Sequence, residues 1–214
     1  MGFFDFLYPY RRIKGEIGYF GLSEWWLSSF SEKERAHILK TFKPLGLTIS
    51  VDSLDDNSLI SGEIESTTQT AVGLLSALAG WFASEEDRTI AYRILKKAEE
   101  LIGDEINILD QHFFYQSKIQ IYYRHRNRDS EGLSIARQAC RQQIRLAPQA
   151  AIAFRKEYAN SPLPCHVGYE QLAIIYEKEK KYNSVIELAR KAKSQGWNGD
   201  WEKRIARCKK KLLQ

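Results

Sequence analysis

The chain has 214 residues, 43% of them apolar and 28% charged, the balance of a soluble globular protein long enough to bury a sizeable core. Its longest nearly apolar run, Ala71 to Ala83, is too short to cross a bilayer. The net charge of +5 hides a split: residues 1–119 carry 12 basic and 18 acidic side chains (net −6), and residues 120–214 carry 20 basic and 9 acidic (net +11). Such asymmetry fits either an anionic partner or solvated helix faces.

Residues 1–20 show no clear period, and their aromatics Phe3, Phe4, Phe6 and Tyr8 precede the basic pair Arg11–Arg12, the reverse of a secretory leader. From Leu22 the pattern turns helical, with Trp25, Trp26, Ser29 and Phe30 on the same side. Ser31 with Glu34 forms a capping box for a second helix reaching Thr41, and Pro44 and Gly46 punctuate its end. Leu47, Ile49 and Val51 alternate, the pattern of a short strand. Asp52 and Glu63 hold the first and twelfth places of a calcium-loop frame. Leu54 at the third place and Asn57 at the sixth break that frame.

Beyond Thr67 nearly everything reads as helix. The predicted elements are Thr67 to Phe82, a helix capped by Ser84 and stopped by Gly103, then Asp104 to Tyr123, Ser130 to Arg145, Gln149 to Ala159, Pro164 to Lys180, Tyr182 to Ser194 and Gly199 to Leu212. In the Ser84-capped helix Ile90, Ile94, Leu95, Ala98, Leu101 and Ile102 form the apolar stripe. Short linkers make neighbours antiparallel. The expected organisation is an N-terminal region, 1–65, packed on a helical domain, 66–214.

The three cysteines, Cys140, Cys165 and Cys208, form no CxxC and no cluster of zinc spacing. They read as reduced thiols of a cytoplasmic protein, each a small buried side chain. The four histidines, His37, His112, His125 and His166, are scattered. The sequence contains no HExxH, no GxSxG and no phosphate-binding glycine loop. No catalytic residue, cofactor or metal site is expected, and the chain does not read as an enzyme.

The stretch Gly168 to Ala192 is the most regular. Tyr169, Leu172, Ala173 and Tyr176 share one helix face. After Lys180 and Lys181, a second face carries Tyr182, Val185, Ile186, Ala189 and Ala192. The alanines permit close helix crossing, and the tyrosines fill the turn. This spacing resembles the tetratricopeptide repeat, a helix-turn-helix of 34 residues. Val185, Lys180 and Trp197 depart from it, standing where a small residue, a glycine and a proline are usual. A weaker copy upstream uses Leu133, Ala136, Ile144, Leu146 and the terminator Pro148, with Gln143 in an alanine slot. The last helix resembles a cap, with Ile205 and Cys208 inward and lysines outward. The resemblance covers residues 104–213 and implies an all-α fold of antiparallel hairpins stacked as an irregular superhelix, with a less regular N-terminal part.

The resemblance also implies function: a scaffold that holds a peptide or helix of a partner protein in the groove lined by the first helices of its hairpins. The groove-facing slots are Val167, Glu170, Ile174, Glu177 and Lys178. Glu170 and Ile174 do not suit a clamp for a partner's terminal carboxylate, and a mixed groove suits a helix or extended segment. The same face is also readable as solvated surface.

The alternative is a nucleic-acid-binding module using the basic C-terminal half. Tyr122 to Arg128, "YYRHRNR", offers cations for phosphates and rings for bases, and equally reads as a helix C-terminus, where cations are favoured. Trp197 and Trp201 around Asn198–Asp200 serve either as anchors or as the seam between two helices, with Gly196 ending the first and Asn198 or Asp200 capping the second.

Overall fold

The computed structural model describes residues 13–44, 57–103 and 106–214. Among them every regular element is helical: α1 (Gly15–Tyr19), α2 (Ser23–Ser29), α3 (Glu32–Thr41), α4 (Ala71–Gly80), α5 (Arg88–Glu100), α6 (Ile108–Arg124), α7 (Gly132–Glu157), α8 (Val167–Lys178), α9 (Tyr182–Gln195) and α10 (Trp201–Leu212). The fold is all-α there, as expected. The chain forms two compact units, Met1–Leu74 and Leu75–Gln214. The anticipated strand at Leu47 to Val51, the head of the calcium-loop frame at Asp52 and the N-terminal aromatics lie outside the described residues.

In the first unit the capping box forms as read: Ser31 Oγ accepts from the Glu34 amide and the Glu34 carboxylate accepts from the Ser31 amide. Leu22, Trp26 and Phe30 are buried, which explains their shared face. The first N–H groups of a helix have no partner within it. At α1 the segment 58–62 supplies them: Lys14, Gly15, Glu16 and Ile17 donate to the carbonyls of Ile60, Gly62, Ser58 and Leu59 at 2.9–3.1 Å. The approach is so close that a Cβ on Gly15, whose φ is +58°, would stand 2.3 Å from the Ser58 oxygen. Asn57 ties this segment to α3, donating to the Leu39 carbonyl at 2.9 Å and accepting from the Leu59 amide at 3.0 Å. Glu63 pairs with Lys14 at 2.6 Å.

In the second unit each helix from α5 to α10 packs on the next, and α6 also packs on α8. The α5 stripe buries Ile90, Ala91, Ile94, Leu95 and Ala98. Ser84 does not cap α5 directly: its hydroxyl accepts from the Asp87 amide at 3.1 Å, closing a turn that precedes the helix. Tyr92 of α5 stacks on Tyr122 of α6 with ring centres 4.3 Å apart and planes 11° from parallel.

The largest departure from the sequence reading is α7. Two helices separated at Pro148 were expected, and a single 26-residue helix runs through it. A proline inside a helix removes one hydrogen bond and crowds the preceding turn, costing about 3 kcal/mol. Beyond Pro148, Ala150, Ala151 and Phe154 enter the same core as Ala139, Cys140, Ile144 and Ala147. Burying a phenylalanine alone recovers roughly 2–3 kcal/mol, so continuing the helix is favoured over turning at the proline. Pro148 itself is exposed.

The α8–α9 hairpin follows the expected spacing. Tyr169, Leu172 and Ala173 on α8 are buried, as are Val185, Ile186, Ala189 and Ala192 on α9. Val185 packs with Ala173, Ile186 and Cys208, and Tyr176 and Tyr182 border that cluster. Lys180 takes the left-handed conformation, φ +57°, that a glycine would adopt without cost. Gly196 ends α9 at φ +85°. Trp197 and Trp201 are both buried, and Trp201 Nε1 donates to the Trp197 carbonyl at 2.7 Å. They are the seam between α9 and α10, not exposed anchors. Asp200 is the N-cap residue of α10 but makes no side-chain cap bond. On α10, Cys208 is buried and Lys209, Lys210 and Lys211 are exposed, the polar outer face of an end helix.

Candidate functional site

The five residues placed in the groove slots all lie on α8 or at its ends, and the structure divides them. Glu177 turns toward α10, where the Arg204 guanidinium donates to it and Arg207 Nη2 reaches its two oxygens at 2.9 and 3.1 Å. Partial burial alone would raise its pKa. The Arg207 hydrogen bonds and both guanidinium charges outweigh that, and the carboxyl lies below its ordinary value. Glu170 turns the same way: burial raises its pKa, Arg204 opposes the rise, and the Cys165 thiol hydrogen-bonds to it. Cys165 is exposed, unlike Cys140 and Cys208, so the uniform expectation of buried thiols fails at this position.

Val167 and Lys178 turn toward α6 instead. Val167 shares a hollow of about 490 Å³ with His112, Phe113 and Gln116 of α6 and with Phe154, Tyr158 and Leu163. Lys178 Nζ donates to the Tyr123 hydroxyl at 3.0 Å and lies 5.6 Å from that ring's centre. Ile174 is half-buried. On α8 the spacing Val167, Gln171, Ile174, Lys178 is one helical stripe. On α6 the matching stripe is Phe113, Gln116, Gln120, Arg124. The two stripes meet at the first hollow, and a second of about 470 Å³ is lined by Gln120, Tyr123, Arg124 and Arg126 from α6 and its end, by Gln171 from α8, and by Gly80 and Ala83 at and beyond the end of α4. One end of this face is therefore apolar and aromatic, and the other is polar and basic.

Behind the face lies a cluster that sequence reasoning missed. His112, His166 and Trp197 come from three places in the chain. The His112 and His166 rings are 5.1 Å apart, and His112 stacks on Trp197 at 5.7 Å with planes 9° from parallel. Burial drives both imidazoles toward the neutral form: the His112 pKa falls to about 4, and that of His166, further lowered by the charge of His112, to about 3. His166 is the N-cap of α8, its Nδ1 accepting from the Tyr169 amide at 3.3 Å.

Gln143 of α7, fully buried, joins the cluster to two neighbouring helices. Its Nε2 donates to the His112 carbonyl at 2.9 Å and its Oε1 accepts from the Gly168 amide at 2.6 Å. The first turn of α8 lies so near α7 that a Cβ on Gly168 would be 2.7 Å from Gln143 Oε1 and 3.0 Å from the Cys140 carbonyl. These two bonds account for a polar side chain on the buried face of α7. The only sequence signal was that misfit: a polar residue on the buried face, which requires partners wherever it packs.

The "YYRHRNR" stretch is the end of α6. Tyr122 packs inward on Tyr92, His125 is buried, and Arg124 is the last helical residue. Among the described residues no group of three His, Cys, Asp or Glu side chains is placed to hold a metal ion, and no helix is long and apolar enough to cross a membrane. No protein-family model, curated protein or solved structure matches the chain.

Proposed function

We propose that residues 106–214 form an irregular tetratricopeptide-like stack, with α6–α7 and α8–α9 as two successive hairpins and α10 as the closing helix, and that it holds an extended or helical segment of a partner protein. The observation that carries this reading is the pairing of the two stripes, Phe113 to Arg124 on α6 and Val167 to Lys178 on α8, along one face with two hollows. The second helices support it from behind: α7 packs on both α6 and α8, and α9 packs on α8 and α10. In such a stack the first helices of successive hairpins line the receiving surface.

The mixed chemistry of the face suits a protein segment better than a nucleic acid. The hollow around Phe113, Phe154 and Val167 offers an apolar side chain a place to be desolvated, which is how peptide grooves gain affinity. Of the five slots assigned from sequence, Val167, Ile174 and Lys178 belong to this surface. Glu177 instead holds α10 to α8 through Arg204 and Arg207, and Glu170 takes the Cys165 thiol as its partner.

The test is a photo-cross-linking residue placed at Ile174, compared with one at Ala206 on the exposed side of α10, in a nuclease-treated lysate. The reading predicts discrete protein adducts from position 174 and none from position 206. Equal labelling at both, or adducts that disappear with nuclease, overturns it.

A further inference from the structure

The basic end of the α6–α8 face is not balanced by the protein itself. Lys118, Arg128 and Arg137 each have a carboxylate partner: Glu99 at 2.6 Å, Glu85 at 3.1 Å, and Glu179. Arg124, Arg126 and Lys178 have none within 4 Å among the described residues. Their hydrogen bonds go to neutral groups. Arg126 donates to the Tyr123 carbonyl at 2.7 Å and Arg124 to the Ala83 carbonyl at 3.5 Å, while Lys178 bonds to the Tyr123 hydroxyl. Two cations lie over the Tyr123 ring, the Arg126 guanidinium 4.1 Å from its centre and Lys178 Nζ 5.6 Å away.

Helix ends explain part of this accumulation but not all of it. α6 and α8 both finish here, and each C-terminus carries roughly half a negative charge. Together they offset about one of the three cations, leaving an excess near +2. A second observation is independent of charge. Gln171 lines the same hollow, and its Nε2 is buried with no acceptor. A buried donor without a partner is destabilising, and no acceptor in the surrounding packing offsets this one.

We propose that this hollow receives a carboxylate side chain of an acidic segment in the partner protein, with Arg124 and Arg126 in its lining and Lys178 beside it on Tyr123 supplying the countercharge, and the Gln171 carboxamide supplying the hydrogen bond. The inference rests on the scaffold reading above and names the chemistry of its ligand. Charge complementarity sets the polarity of docking: the acidic part of the segment lies over the C-terminal ends of α6 and α8, and its apolar part lies toward Phe113 and Val167.

The probe is a fluorescein-labelled hexaglutamate peptide, followed by anisotropy with the full chain. Because the C-terminal half is basic throughout, two triple variants are compared. Replacing Arg124, Arg126 and Lys178 by glutamine lowers affinity by at least about tenfold. Replacing Lys209, Lys210 and Lys211 by glutamine leaves it unchanged. Gln171→Leu weakens binding several-fold while the melting temperature holds or rises, because the orphan donor is gone. Equal losses in the two triple variants, or no saturable binding of the peptide, overturn the proposal. So does a single-stranded oligonucleotide that displaces the peptide and binds more tightly. If position 174 still yields protein adducts when the peptide fails, the scaffold reading stands and only the acidic-ligand inference falls.

Discussion

Replacing Gln143 by alanine removes the side chain that connects three helices. The Gly168 amide, in the first turn of α8, loses the partner it has at 2.6 Å, and the His112 carbonyl, inside α6, loses its second donor at 2.9 Å while keeping its helical bond. The orphaned amide costs about 1–3 kcal/mol, and the space left by the shortened side chain adds to this. The expected loss is roughly 2–4 kcal/mol, a sizeable share of the 5–15 kcal/mol that a domain typically possesses. Urea unfolding followed by tryptophan fluorescence reads it directly, since Trp197 and Trp201 sit in this core. Gln143→Glu separates the two bonds: its carboxylate still accepts from Gly168 but cannot donate to the His112 carbonyl, so it is also destabilised. A Gln143→Ala variant within about 1 kcal/mol of the parent would show that the bridge carries no stability and that α8 is held by apolar packing alone.

Acid sensitivity follows from the two neutral histidines. Their folded pKa values, about 4 and about 3, lie below the ordinary 6.5, so the unfolded chain binds protons that the fold refuses. Their full contribution is present above pH 6.5 and is lost as pH falls toward 4, by about 2–3 kcal/mol per histidine at pH 4.5. Unfolding midpoints across that range check it, and His112→Phe removes roughly half of the slope. Lys180→Gly relieves the left-handed strain at the α8–α9 turn and stabilises by about 0.5–1 kcal/mol; a destabilised variant would contradict this. Pro148→Ala restores the N–H that α7 lacks and raises stability by about 1–3 kcal/mol, seen as a higher urea midpoint with no change of fold.

Local rules made much of the fold legible. The Ser31–Glu34 box, the stop at Gly196 and the buried stripes of α8 and α9 depend on residues a few positions apart, and each forms as the spacing dictates. The errors come where long-range packing decides. Pro148 reads as a terminator because its local cost is visible, whereas the core that Phe154 joins is not. Lys180 occupies a left-handed turn in spite of its side chain because the helices on both sides fix the turn.

The candidate site was legible in part. Helical spacing puts Val167, Ile174 and Lys178 on one stripe, but Glu177 pairs with Arg204 and Arg207 of α10, and a single helix does not reveal which neighbour covers its edge. The His112–Gln143–His166 cluster was invisible because its members are 31 and 23 residues apart and meet only once three helices have packed.

Hydrogen–deuterium exchange on the chain bound to the segment captured at position 174 tests the central claim most directly. The account predicts new protection on α6 between Phe113 and Arg124 and on α8 between Val167 and Lys178, with α9 and the outer side of α10 unchanged. Protection confined to α9 or α10, with α6 and α8 exchanging as in the free protein, would contradict it.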